Sequence, residues 1–156
     1  MRSKIVAGNW KMNNNNKETK ELVKGIRKSI KRLPLDNTRV IVAPAFVNLT
    51  SAIKRAKKSN IEVVSQNMHQ SKKGAFTGEV SADMLKSIGV KTVILGHSER
   101  RSLFNETDKV LAEKVNAALA NELEVIFCFG ELLEDRKSEN HFNVVKSQLE
   151  NGLFHL

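Results

Sequence analysis

The sequence predicts an α/β fold in which a parallel sheet is covered by helices. Three observations carry that prediction. Short, near-continuous apolar runs alternate with amphipathic stretches of helical period along the chain. The connections between them are short, as β-α-β units require. No linker, composition break or internal repeat marks a second domain, so residues 1–156 read as a single domain.

Each element has its own signal. "KIVAGNW" (4–10) reads as a strand. "KETKELVKGIRKSIKRL" (17–33) spaces Leu22, Ile26, Ile30 and Leu33 as one apolar helix face, and Pro34 stops it. "TRVIVAP" (38–44) is a second strand, and "NLTSAIKRAKKS" (48–59) a helix with Asn48 or Thr50 as its cap. "IEVVSQ" (61–66) is a third strand, followed by the polar segment "NMHQSKKGAFTGEVS" (67–81). A short helix over 82–88 ends on Gly89. "KTVILG" (91–96) is the fourth strand, 107–121 a helix started by Thr107 or Asp108, and "EVIFCFG" (124–130) the fifth strand. "NHFNVVKSQLENGLF" (140–154) begins another helix. This pattern fits a doubly wound sheet and a closed (β/α)₈ barrel alike. The lack of a G-x-G-x-x-G or Walker loop weighs against nucleotide binding.

Composition narrows the function classes. With 40% hydrophobic and 28% charged residues the chain suits a globular domain with a real core. Its apolar runs are far shorter than a membrane span, and "MRSKIVAGNW" does not pattern as a signal peptide, so no membrane association is expected. The single cysteine, Cys128, permits no intramolecular disulfide and suggests a reducing, cytoplasmic setting. The net charge of +9 admits nucleic acid or anionic small substrates as partners. Much of it falls on two predicted helices, at Lys17, Lys20, Lys24, Arg27, Lys28, Lys31 and Arg32, then Lys54, Arg55, Lys57 and Lys58. No aromatics interleave with them to stack on bases. Solvated helix faces are therefore the preferred reading, and no nucleic-acid partner is expected.

In parallel α/β folds, function collects where strands end. The first strand ends on Asn9 and Lys11, the third on Gln66 and Asn67, the fourth on His97, Ser98, Glu99 and Arg100, the fifth on Cys128 and Glu131. A lysine, an asparagine, a histidine and a glutamate at one mouth can bind an anion, polarise a carbonyl and move protons. Each residue also has a plainer reading. Lys11 alone would be a solvated lysine, Asn9 a turn residue, His97 a structural histidine and Glu99 half of an ion pair. Ser98 is placed to cap a short helix over "SERR". Cys128 lies inside an apolar strand with no basic neighbour to form a thiolate, so it reads as a buried packing residue and not a nucleophile. His69, His141 and His155 lack metal-ligand spacing.

Five motifs change these priors. "AGNWKMN" (7–13), "SQN" (65–67), "GAFTGEVS" (74–81), "LGHSERR" (95–101) and "CFGE" (128–131) resemble the triosephosphate isomerase family, in its order and spacing. "GNWKMN" with "GHSERR" is highly specific as a pair, and the resemblance covers essentially the whole sequence. It implies a TIM (β/α)₈ barrel, a homodimer, no cofactor and no metal. It implies interconversion of dihydroxyacetone phosphate and D-glyceraldehyde 3-phosphate through an enediolate, in glycolysis and gluconeogenesis. His97 then matches the electrophile, and its neutral imidazole is the family's established device, brought in with the resemblance. Lys11 matches the cation that meets the substrate, Asn9 an orienting neighbour, and Glu99 a proton-relay or structural partner. Arg100 and Glu79 resemble an ion pair across the dimer interface, and Thr77 the loop tip that steadies the partner's lysine.

The family's barrel takes about 250 residues and eight strands. About five βα units are expected here, an N-terminal portion forming a partial barrel. The resemblance places the catalytic glutamate and lid loop after a sixth strand, and the phosphate loops after the seventh and eighth. No residue of this sequence matches the base. The 156-residue chain is thus expected to be inactive alone. The alternative is a catalytically dead half-barrel acting as an interaction module. Unpaired strand edges and an uncovered apolar interior are expected as well.

Overall fold

A computed structural model describes residues 2–156. In chain order the elements are β1 (Lys4–Asn9), α1 (Asn16–Ile30), β2 (Thr38–Ala43), α2 (Leu49–Ala56), β3 (Ile61–Val63), α3 (Ala82–Ser87) and β4 (Thr92–Leu95). They continue with α4 (Ser98–Leu103), α5 (Asp108–Ala120), β5 (Glu124–Phe127), α6 (Leu133–Lys137) and α7 (His141–Leu153). Backbone contacts divide the chain into two compact units. One runs up to Gln66 and includes Leu85–Thr92; the other comprises Asn67–Met84 and Val93–Leu156.

In the first unit β1, β2 and β3 form a parallel sheet in that order, with Lys4 opposite Thr38 and Val40 opposite Ile61. Ile41, Val42 and Ala43 of the central strand are buried, as a β-branched run between two neighbours should be. On the edge strand β1, Ile5 and Val6 are exposed, as expected for an uncovered apolar edge. Arg39 bridges from β2 to β3, donating to Glu62 Oε2 from Nε at 3.1 Å and Nη2 at 2.7 Å. The hydroxyl of Thr92 donates to the other oxygen of Glu62.

Helix α1 starts on a reciprocal cap. Asn15 Oδ1 accepts from Glu18 N at 3.0 Å, and Glu18 Oε2 accepts from Asn15 N at 2.8 Å. The helix stops at Ile30, three residues before the predicted end. Leu33 precedes Pro34, and that position disfavours helical ψ. The buried face is also rotated from the predicted one. Thr19 and Val23 are wholly buried, with Ile26 and Ile30 half-buried beside them, while Leu22 and Leu33 are exposed. Positions 19, 23, 26 and 30 follow the same helical period, one residue around. Asn48 sits at the backbone N-cap of α2 but gives it no side-chain cap. Its amide instead donates to Asn14 O at 2.8 Å and ties down the loop before α1.

In the second unit β4 and β5 are neighbours in a two-stranded sheet. Val93, Ile94 and Leu95 are buried, as are Leu111, Val115 and Ala118 of α5. Thr107 caps α5, its Oγ1 accepting from Val110 N at 3.3 Å. Gly152 of α7 lies so close to Phe127 that a Cβ there would meet the ring at 2.7 Å. The five-residue α6 has no counterpart among the predicted elements. A single turn is too short to display a period.

The rotated face of α1 is testable. Val23→Ala should cost about 1–3 kcal/mol in urea unfolding. Leu22→Ala should cost less, although leucine is the larger side chain. The reverse order would contradict the packing.

Candidate active site

The first unit holds Asn9, Lys11 and Gln66 together. The β1–β2 ladder ends on Asn9 opposite Ala43, and Trp10 N donates onward to Ala43 O at 3.0 Å. Lys11 then turns into the left-handed region, φ +53°. That conformation costs a non-glycine residue about 1–2 kcal/mol unless its surroundings impose it. Here they do. Asn9 Oδ1 accepts from Lys11 N at 2.9 Å, and Gln66 Nε2 donates to Lys11 O at 2.8 Å and Ala43 O at 2.7 Å. The Asn9 side chain thus restrains the backbone of Lys11. The sequence marks Gln66 only as a strand-end polar group; its hold on the Lys11 carbonyl joins residues 55 apart.

The second unit holds His97, Ser98, Glu99 and Glu131. Gly96 makes the turn out of β4 with φ +80°, and a Cβ there would lie 2.6 Å from Cys128 O. His97 follows and is itself the N-cap of α4, its Nδ1 accepting from Glu99 N at 3.3 Å. This corrects the assignment of the cap to Ser98, which is the first helical residue; Ser98 O accepts from Ser102 Oγ at 2.9 Å. Because a backbone N–H can only donate, Nδ1 must present its lone pair and Nε2 carries the ring proton. Glu99 Oε2 lies 3.5 Å from the same Nδ1.

A cavity of about 540 Å³ is lined by His97, Arg101, Cys128, Glu131 and Gln148 among others. Arg101 braces its wall. Its guanidinium donates to Gly96 O at 2.9 Å, to Cys128 O at 3.3 Å and to Asp108 at 2.5 Å. Gln148 of α7 pairs with both backbone groups of Gly130, at 2.9 and 3.0 Å. Neither role was legible in the motifs. Arg101 also corrects the expectation that Cys128 has no basic neighbour. Cys128 is half-buried and lines the cavity, not the buried position expected for a packing residue; burial pushes its thiol up and Arg101 offsets part of that. The Glu131 carboxyl is held below its usual range by its own backbone N–H and then by Arg136.

Behind this wall lies a buried polar network. Glu106 Oε1 accepts from Lys114 Nζ at 2.6 Å and from Arg100 Nε at 2.7 Å. Lys114 also donates to Asn67 Oδ1 at 3.0 Å. Arg100, expected at a dimer interface, is therefore engaged by Glu106 of its own chain. Burial would raise the Glu106 carboxyl, but the hydrogen bonds and charges of Lys114 and Arg100 outweigh it and hold it low.

Thr77 and Glu79 lie exposed on a loop closed by His69 N donating to Val80 O at 2.8 Å. The His69 ring packs on Phe76 at 4.2 Å between centroids. His141 packs on Phe142, and His155 lies 3.1 Å from Asn116. Among the described residues no group of three His, Cys, Asp or Glu side chains is arranged to hold a metal, and no helix is long and apolar enough to cross a membrane.

Comparison with known proteins agrees with this geometry. Residues 4–156 match the family model described as triosephosphate isomerase. Triosephosphate isomerases of Flavobacterium psychrophilum and Flavobacterium johnsoniae are each 57% identical over 157 aligned positions. The alignment takes in 100% of this chain and 62% of either relative. The crystal structure of triosephosphate isomerase from Bartonella henselae superposes with a TM-score of 0.89 at 37% identity, over 98% of this chain and 62% of that one. The chain thus spans about 62% of the length of these relatives.

Two predictions follow from the site. Gly96→Ala should destabilise by roughly 2 kcal/mol or more, from the left-handed backbone and the clash with Cys128 O combined. Wild-type-like denaturation of that variant would refute the close approach. Glu106 has a folded pKa below its unfolded one, so its stabilisation is complete above the ordinary carboxylate value of about 4.3. It is lost as pH falls through the lower folded value. Glu106→Gln should flatten this acid limb of the stability–pH curve and lower stability at neutral pH, where Lys114 and Arg100 lose their counter-charge.

Proposed function

Because the chain belongs to the triosephosphate isomerase family, we propose that the full protein interconverts dihydroxyacetone phosphate and D-glyceraldehyde 3-phosphate, with His97 as electrophile and Lys11 as cation. The fold of these residues is that of the TIM-barrel family. The observation that carries the reading is the Glu99 N–H donating to His97 Nδ1, which leaves the Nε2 proton for a substrate oxygen.

Removing a proton from the carbon beside a carbonyl leaves negative charge on the carbonyl oxygen. A fixed N–H donor and an ammonium each lower the energy of such an enediolate, and they do so most where water is scarce. Asn9 and Gln66 support the role of Lys11 by holding its backbone in an otherwise costly conformation. Glu99 is proposed to keep the imidazole oriented. Glu131 is not proposed as the base, since a carboxylate held below its usual range is a weak one. The proposed base is the glutamate that the resemblance places after a sixth strand. The reaction calls on no cofactor or metal, because side chains supply both charge and protons.

The protein is proposed to work as a cytoplasmic homodimer. Thr77 on its exposed loop would steady Lys11 of the partner subunit, and Glu79 would meet Arg100 of the partner subunit alongside Glu106. The test is an isomerase assay on the native full-length protein, with its intact mass measured first. Turnover of either triose phosphate is expected, and His97→Gln should lower kcat about 10²–10³-fold with a smaller change in KM. A native protein without turnover, or a His97→Gln variant with unchanged kcat, would overturn the proposal.

A further inference from the structure

The first unit carries a second concave feature, at the other end of its strands from Asn9, Lys11 and Gln66. It lies between the last turns of α1 and α2, beside the segment that enters β3, and encloses about 570 Å³. Six of its lining residues are cations: Lys24, Arg27, Lys28, Lys31, Arg55 and Lys58. No carboxylate lines it.

Helix C-termini attract basic side chains, so part of this charge has an ordinary cause. The size of that cause is limited. Each helix end presents about half a negative charge, so two ends account for roughly one cation. The exposed pair of Lys24 with Glu21, 3.6 Å apart, offsets another at the rim. Roughly four positive charges remain gathered at one groove. Arg27 is fixed there, its Nη1 donating to Arg55 O at 2.8 Å. Arg55 Nε is buried without a hydrogen-bond acceptor among the described residues.

We propose that this groove binds a small polyanion carrying several linked phosphates, of the tripolyphosphate type. The volume is within the range of small-ligand sites, about 300–1,000 Å³. Cations contributed from two helices suit a chain of phosphates better than one. No aromatic side chain lines the groove, so the phosphates and not a stacked base are the recognised part. The ligand is accordingly either a free polyphosphate or the triphosphate of a nucleotide.

The test is titration calorimetry on the full-length protein with tripolyphosphate, orthophosphate and a nucleoside triphosphate. Saturable binding of tripolyphosphate is expected, at least about tenfold tighter than orthophosphate and weakened by salt. The variant Lys24→Gln, Lys28→Gln, Lys31→Gln changes exposed side chains only and should weaken it by about tenfold or more. Arg55→Gln with Lys58→Gln reads the α2 side and should weaken it as well. Lys11→Met should leave it unchanged, which separates this groove from the proposed active site. A nucleoside triphosphate binding as tightly as tripolyphosphate, or more so, supports the site with a nucleotide as its source; weaker binding supports it with free polyphosphate. Unchanged affinity in the triple variant, loss in Lys11→Met, equal affinity for orthophosphate, or binding of single-stranded RNA without tripolyphosphate would each overturn it.

Discussion

The candidate chemistry depends on how closely Gly96 approaches the end of β5. No side chain fits between the Gly96 Cα and the Cys128 carbonyl, and the backbone there is left-handed. These two facts set where β4 ends and in which direction the next residue leaves. His97 can cap α4, and so present its Nδ1 to the Glu99 amide, only because the chain turns that sharply one residue earlier. Arg101 then fixes the turn. One guanidinium holds the Gly96 carbonyl, the Cys128 carbonyl and Asp108, joining the ends of two strands and the start of α5. A planar fork with five donors suits this work; a lysine would supply the charge without the geometry.

The end of β1 meets a similar demand by other means. There a lysine occupies the left-handed position that glycine would take without strain. Side-chain amides provide the restraint. Asn9 bonds the amide of Lys11 and Gln66 bonds its carbonyl. Gln66 reaches Ala43 with the same nitrogen, so the Lys11 backbone is referred directly to the central strand of its sheet. Strain at a functional residue persists only where surrounding bonds over-determine it. The proposed function calls for an ammonium at this position, which glycine lacks.

The parts that the sequence made legible are those with a period or a dense motif. All five strands and the four longer helices lie within a few residues of their predicted positions, because near-continuous apolar runs and helical spacing are local signals. The motifs nominate His97, Lys11 and Asn9, and the proposed function takes them up. What stayed hidden depended on partners distant in sequence. Val23 rather than Leu22 faces the core because packing, against α2 in particular, sets the rotation of α1, and both residues satisfy a helical period. Gln66 to Lys11 spans 55 residues, and Gln148 to Gly130 spans 18. His97 displaced Ser98 as the α4 cap, although serine is the stronger capping type, because Gly96 sets the helix start one residue early. Asn48 lost its predicted capping bond to a loop carbonyl across 34 residues.

The buried network of Asn67, Lys114, Glu106 and Arg100 raises the question of why charge is kept inside at all. Lys114 and Glu106 are both almost fully buried. An apolar replacement of both would often be as stable, since desolvating two ions offsets most of their attraction. A leucine pair would not choose among nearby packings. Here a lysine on α5 must find the end of the segment after β3 through Asn67, and the start of α5 through Glu106. Arg100 brings α4 to the same carboxylate oxygen. One oxygen therefore fixes the register of α4 against α5, next to the helix that carries His97 as its cap. Glu106 Oε2 is left without a hydrogen-bond partner among the described residues, so the network is not satisfied to its limit. The contribution of the network is position: it ties the short α4, too short to be stable by itself, to α5.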